Sequence, residues 1–304
     1  MKRALPAMGL VLALALNGAA TVQAYSVLLV NDDGWAAPGI QAVFKALTEA
    51  GHTVTLVAPA TQQSGKGGSM NTDIGGTVQV RRQQPRKWSV ASTPGDSVRA
   101  GLDVILRDDP PDLVVSGANF GQNVGRPATS QSGTVNAALQ AAYRGLPAIA
   151  ISTGLVAAER TTGFPSTTSS FAASGELLVS LLQALDRDGR IGLPAGVVLN
   201  VNIPVPYEGE RELRLAQLAD TGIVEIVWEV DEDNFSADGG SVTVSYSLER
   251  VKPLEHGDDI SLFSQGFVTL TPISSESDCM ATPEVVTAAI ASINAGLKAA
   301  PVAP

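Results

Sequence analysis

Two carboxylates stand side by side in Asn31-Asp32-Asp33-Gly34, directly after the apolar run from Tyr25 to Val30. Ionised neighbours of like charge repel, so the pair calls for a cation or for several hydrogen-bond donors. Composition leaves two readings open: a turn held by Asx-type hydrogen bonds, or a site for a divalent ion. Two further oxygen donors follow later strand-like runs, Ser64 in a Gly/Ser-rich loop and Asn119 in Gly117-Ala118-Asn119. Oxygen-only sets suit hard cations such as Mg²⁺, Mn²⁺ or Ca²⁺. Zinc normally takes His or Cys, and the chain has only His52, His256 and Cys279. The glycine-dense stretches 62–72 and 117–125 offer backbone N–H groups that can cradle an anion, although neither matches a P-loop or a dinucleotide fingerprint. Ser132-Gly133-Thr134 heads a helix-like segment, where hydroxyls, free amides and the helix dipole converge. A phosphate site and plain N-capping by Ser132 both account for it.

Strands and helices must bring these residues together. Residues 25–30 form a continuous apolar run that suits a buried parallel strand. Ile40, Val43, Phe44 and Leu47 then recur at helical spacing, and residues 53–58 resume a strand. His52, at the turn between them, is expected to be exposed. Short β-like runs follow at 77–80 and 88–91, then a helix after Thr93-Pro94-Gly95-Asp96, a strand at 112–116, a helix at 135–143 and a strand at 148–152. A Ser/Thr-rich loop is expected before the helix carrying Leu177, Leu178, Leu181, Leu182 and Leu185, and another apolar strand covers 197–203. The character then changes. Residues 213–218, 223–230 and 242–248 read as antiparallel strands with an acidic turn at 231–234, followed by a strand near 266–272 and a closing helix at 283–295. The fold class is α/β: a Rossmann-like parallel-sheet core with an antiparallel hairpin extension and a C-terminal helix. In such open sheets ligands gather beyond the carboxyl ends of the strands, where Asp32, Asp33, Ser64 and Asn119 all fall.

Composition bounds the function. Hydrophobic residues make up 44% of the 304-residue chain, enough for a sizeable core, and 20 basic against 30 acidic residues argue against a surface that coats nucleic acid. Lys2 and Arg3 precede an apolar run of roughly a dozen residues, too short for a bilayer span of about 20, and Val22-Gln23-Ala24 supplies a small-residue cleavage site. Residues 1–24 are therefore expected to be a cleaved signal peptide and the mature chain to be periplasmic or secreted. Losing Lys2 and Arg3 leaves 18 basic against 30 acidic residues, a net charge of −12. The lone Cys279 permits no intrachain disulfide. No Gly-x-Ser-x-Gly elbow is present, which disfavours a serine hydrolase, and the contiguity of Asp32 and Asp33 counts against an aspartyl-phosphate nucleophile.

Several motifs, in order, resemble the SurE family, the survival-protein 5′/3′-nucleotidases. They are Asn31-Asp32-Asp33-Gly34 with Ala37-Pro38-Gly39-Ile40, Gln63-Ser64-Gly65, Thr93-Pro94-Gly95-Asp96, Ser116-Gly117-Ala118-Asn119, Ser132-Gly133-Thr134 and Asn200-Val201-Asn202-Ile203-Pro204. The resemblance covers residues 27–272 and implies one divalent cation, Mg²⁺ or Mn²⁺, on Asp32, Asp33, Ser64 and Asn119. It further implies hydrolysis of nucleoside 5′/3′-monophosphates, with Asp32 or Asp33 orienting or deprotonating a water and with Asn123, Ser132, Gly133 and Thr134 receiving the phosphate. The expected layout is a signal peptide at 1–24, a core at 25–205, a β-rich extension at 206–265 that makes a homodimer or tetramer, and a terminal strand and helix at 266–304. One departure is Arg126-Pro127-Ala128, where many members carry acidic residues. The competing class is a non-catalytic periplasmic protein that binds phosphorylated metabolites.

Overall fold

The computed structural model describes residues 23–223, 225–247, 257–275 and 284–299. The leader expected at 1–24 lies almost wholly outside the described residues, as do His256 and Cys279. Among the described residues no helix is long and apolar enough to cross a membrane.

The chain opens with β1 (Ser26–Val30), α1 (Pro38–Glu49) and β2 (Thr53–Pro59), then an antiparallel pair, β3 (Val80–Gln84) and β4 (Lys87–Val90). Next come α2 (Pro94–Ala100), β5 (Leu113–Phe120), the short α3 (Arg126–Gln131), α4 (Gly133–Ala142), β6 (Ala148–Thr153) and α5 (Pro165–Leu185). A two-residue ribbon, β7 (Asp186–Arg187) and β8 (Arg190–Ile191), leads to β9 (Val197–Ile203). The remainder is β10 (Leu213–Leu215), the hairpin β11 (Glu225–Ser236) and β12 (Gly239–Ser247), α6 (Asp259–Ser264), β13 (Val268–Ser274) and α7 (Glu284–Ala299). Nine strands form one sheet in the order β10-β13-β9-β6-β5-β1-β2-β4-β3. Its middle is parallel from β9 to β4, while β13 and β3 join antiparallel.

Alternation along the central strands divides the core into two layers. Val27, Leu29, Val115 and Ile151 pack with Ile40, Val43 and Leu47 of α1 and Leu178, Leu181 and Leu182 of α5. Leu28, Val30, Val114 and Ala150 face Val98 of α2 and Val135, Ala138 and Ala141 of α4. Strands apolar on both faces are what a helix-covered parallel sheet requires.

Five expectations need correction. The run at 77–80 is not a strand; pairing begins only at Val80. The Ser/Thr-rich stretch before Leu177 is the start of α5, because Ser170 and Ser174 donate to the carbonyls of Ser166 and Ser170, four residues back, and so satisfy their hydroxyls inside the helix. β10 is not part of an antiparallel extension but an edge strand parallel to β13. The acidic segment 231–234 does not turn the hairpin: it bulges inside β11 between Val230 and Phe235, and the chain reverses between Ser236 and Gly239. His52 is buried, not exposed. Its Nδ1 accepts the Tyr25 N–H at 3.1 Å, its ring stacks on Tyr25 with centroids 5.7 Å apart, and the Tyr25 hydroxyl donates to Asp186.

Candidate metal and phosphate site

β2 pairs on one side of β1 and β5 on the other, so the chain order reverses at the carboxyl end of β1. That switch point opens a crevice. Asp32 and Asp33 follow β1 there. The turn is held by Asn31, whose Nδ2 donates to Gly34 O at 3.0 Å and whose Oδ1 accepts the Gly34 N–H at 3.2 Å. The Asx turn therefore exists, but it uses Asn31 and leaves both carboxylates for other partners.

Asp32 is 3% exposed, and the N-terminus of α4 is folded onto it. The Thr134 hydroxyl donates to Asp32 Oδ1, and the backbone N–H groups of Gly133 and Thr134 add to it. A Cβ at position 133 would lie 2.6 Å from Asp32 Cβ and 2.8 Å from Oδ2, so only glycine lets the helix start approach this closely. Burial pushes the Asp32 carboxyl above its ordinary range, and these donors pull it partly back. Asp33 is pushed up to about 6, first by burial and then by the Asp32 charge, with the Phe120 N–H at 2.9 Å as partial offset. Among the described residues neither carboxylate forms an ion pair.

Asn119 lies within β5, not beyond a strand ending at Ser116. The register slips by one residue between Ser116, opposite Ala150, and Asn119, opposite Ser152, and the strand runs on to Phe120. Such a bulge re-aims a side chain without ending the strand. Asn119 Nδ2 donates to Gly121 O at 2.7 Å, which leaves Oδ1 as the acceptor available to a ligand. Ser64 stands exposed in its loop. That loop is pinned at two points, by the Gln63 N–H on Asp32 O at 2.7 Å and by the Gly67 N–H on Gln131 O at 2.9 Å. Asp32 and Asp33, with no basic partner among the described residues, the Asn119 amide oxygen and the Ser64 hydroxyl are all oxygen donors, the chemistry that a hard divalent cation takes.

The expected phosphate donors are placed differently from one another. Ser132 caps α4, its Oγ accepting the Val135 N–H at 3.1 Å, while Gly133 and Thr134 turn toward Asp32. Asn123 is held from beneath. Its N–H donates to Asn202 Oδ1 at 2.6 Å, its carbonyl accepts from Asn200 Nδ2 at 2.9 Å and Asn202 Nδ2 at 3.2 Å, and its own Nδ2 donates to Ser152 Oγ at 3.0 Å. Asn200 Oδ1 has no partner among the described residues, at a cost of about 1–3 kcal/mol for such a buried group.

Sequence reasoning assigned no role to Asn200, Asn202 or Asp259. Asparagines alternating with valine in a fully buried strand were a signal available for the first two. Asp259, fully buried, accepts the Gly125 N–H at 2.9 Å and the Ala219 N–H at 3.0 Å, and burial raises its carboxyl. Gly125 has φ +76°, and a Cβ there would lie 2.2 Å from Thr221 O, so this junction also demands glycine. Arg126 is paired with Asp220 at 2.8 Å.

Residues 27–225 match the family model described as Survival protein SurE. The chain is 38% identical over 197 residues to the 5′-nucleotidase SurE of Methanocella arvoryzae, covering 64% of this chain and 73% of that protein. It is 35% identical over 250 residues to the 5′-nucleotidase SurE of Nitratidesulfovibrio vulgaris strain DP4, covering 81% of this chain and 92% of that one. The crystal structure of the SurE protein from Aquifex aeolicus superposes with a TM-score of 0.66 at 27% identity, over 86% of this chain and 97% of that one. A family match across most of the sheet, relatives aligned over most of both lengths and a shared fold lead to one conclusion: the chain belongs to the SurE family.

Proposed function

We propose that the protein is a metal-dependent phosphomonoesterase that hydrolyses nucleoside 5′- or 3′-monophosphates. The observation that carries this reading is the pair formed by the buried Asp32 and the half-buried Asp33, without an ion pair among the described residues, set beside Asn119 and the start of α4 at the switch point of the sheet. The name 5′-nucleotidase on aligned relatives supports the substrate class.

Asp32, Asp33, Ser64 and Asn119 are the residues that would hold one Mg²⁺ or Mn²⁺. When bound, such an ion supplies Lewis acidity and offsets charge on a transferring phosphoryl group. The chain's own groups do the rest. Thr134 and the α4 amides fix Asp32, so that its position does not depend on substrate. Asp33 has Oδ2 engaged by the Phe120 N–H, and Asp32 or Asp33 orients or deprotonates the attacking water. Asn123, Ser132, Gly133 and Thr134 are proposed to receive the phosphate oxygens, the last two sharing their donors with Asp32. An acidic chain disfavours long polyanions, so a small monoester is the expected substrate. The leader motif at Lys2, Arg3 and Val22-Gln23-Ala24 supports export to the periplasm or medium, and the hairpin supports assembly into a dimer or tetramer.

Phosphate release from a nucleoside monophosphate tests the reading. Chelation should abolish it, Mg²⁺ or Mn²⁺ should restore it, and Asp32→Asn and Asp33→Asn should each cost at least about a hundredfold, the scale of losing a main electrostatic contributor. Undiminished turnover in both variants after chelation would exclude the metal assignment. Stoichiometric binding without release would instead identify a binding protein.

A further inference from the structure

We propose that Asn202, assisted by Asn200, is a positioning residue that sets the height of Asn123 above the sheet and thereby shapes the grip on the substrate phosphate. The proposal rests on the phosphomonoesterase reading and extends it to residues on a strand buried at every position.

Asn119 of β5, Ser152 of β6 and Asn202 of β9 are direct cross-strand neighbours and therefore share a face of the sheet. The row begins at a candidate metal ligand and ends beneath the loop of residues 121–125. Gly121 fastens one end of that loop through its N–H to Thr153 O at 2.8 Å, and Gly125 fastens the other to Asp259 at 2.9 Å. Asn123, at the midpoint, finds its backbone partners in β9 and, for its carbonyl, also in the Thr129 hydroxyl at 3.4 Å. The Asn202 amide reads both backbone groups of Asn123, accepting at 2.6 Å and donating at 3.2 Å, much as a neighbouring strand would. Asn200 adds a second donor to the same carbonyl at 2.9 Å. The Asn123 side chain then reaches Ser152 Oγ at 3.0 Å, beside the cross-strand position of Asn119.

A purely structural role for these asparagines fits poorly. Asn200 keeps Oδ1 without a partner among the described residues and directs its donor to the loop, so its orientation follows Asn123 rather than its own sheet. Thr271, its cross-strand neighbour, also has a hydroxyl without a hydrogen-bond partner among the described residues, the loop included, which makes it the natural control.

The test compares Asn202→Ala, Asn123→Ala, their combination and Thr271→Val in the full-length protein, with melting temperature, kinetics on a nucleoside monophosphate and amide exchange of residues 121–125. Asn202→Ala is expected to raise KM about tenfold or more while kcat and the metal concentration for half-maximal rate change little, the pattern of lost substrate binding. Amide exchange at Asn123 should accelerate. Because Asn202 acts through Asn123, the double variant should be no worse than Asn123→Ala alone. Thr271→Val should leave KM unchanged. A folded Asn202→Ala with wild-type KM overturns the proposal, as do additive effects in the double variant or an equal KM change in Thr271→Val. If Asn202→Ala does not fold, Asn200→Ala, which removes one donor to the same carbonyl, must raise KM on its own, and wild-type KM there is equally fatal. A wild-type protein without turnover overturns the phosphomonoesterase reading and the kinetic claim with it; the clamp then stands or falls on the exchange of the Asn123 amide alone.

Discussion

An aspartate whose carboxyl is pushed up to about 6 holds its proton more tightly in the folded chain than in the unfolded one, where the group titrates near 4. Folding is then favoured by the protonated form, so this contribution is complete below about pH 4 and is lost as pH climbs through about 6. Asp32 shifts in the same direction. Metal-free protein should accordingly melt at a lower temperature at pH 7 than at pH 5, with Asp33 accounting for about 1 kcal/mol between those two values. Thermal melts in chelator across that range check the prediction. Asp33→Asn should flatten the dependence, and a divalent cation should remove it. The paired carboxylates were legible because their chemistry is local: two adjacent charges at a strand end need a partner wherever the chain goes. The grip on Asn123 was not legible, since its partners lie 77 and 79 residues away. His52 misled for the same reason, because a turn residue looks exposed until Tyr25 folds across it.

At the level of elements, α4 is the piece that turns a pair of carboxylates into a fixed site. Its approach depends on Gly133, and a methyl group there meets the Asp32 side chain well inside van der Waals contact. Gly133→Ala should therefore displace α4 or Asp32 and lower kcat/KM by about tenfold or more, while Ala at a helical position costs the helix itself nothing. Kinetics set beside the circular-dichroism spectrum separate the two effects; an unchanged rate would mean that the helix start does not fix Asp32. The parallel strands were read correctly because strands buried on both faces announce themselves as continuous apolar runs. Elements that depend on partners were read less well. β10 is three residues long and takes its direction from β13, more than 50 positions onward. The polar start of α5 is helical because serine hydroxyls find carbonyls within the helix, a solution that composition does not display.

On the scale of the whole molecule, the hairpin presents an apolar face that none of the described residues covers. Trp228 is 70% exposed, and Ile226, Val230 and Val244 stand exposed on the same side. Exposed, contiguous apolar surface of this kind marks an interaction site. A second copy of the chain is the expected occupant, as the reading of residues 206–265 as an assembly element anticipates. Trp228→Glu should shift the protein to monomer in light scattering at micromolar concentration; a wild-type monomer under those conditions would refute assembly through this face. The acidic bulge at 231–234 interrupts the β11–β12 register near the turn. Unpaired backbone and clustered charge at that end limit further strand addition, so assembly should stop at a closed oligomer rather than continue into a fibre.

Tyr25 carries a consequence for the order of events in the protein's life. Its ring is covered by His52, its hydroxyl is held by Asp186, and Ser26 immediately begins the sheet. A peptidase that cuts between Ala24 and Tyr25 must draw several residues on each side into an extended groove, and the finished fold holds the downstream half out of reach. Processing of an exported precursor should thus precede folding. Precursor that has already folded should resist the peptidase, whereas the same precursor held unfolded should be cut to begin at Tyr25, a difference that N-terminal sequencing of both digests reads directly. Once cut, the new amine would be born at the position where the Tyr25 nitrogen now meets His52, 3.1 Å away. The buried ring, which burial keeps neutral, would then serve as the acceptor that receives a chain end.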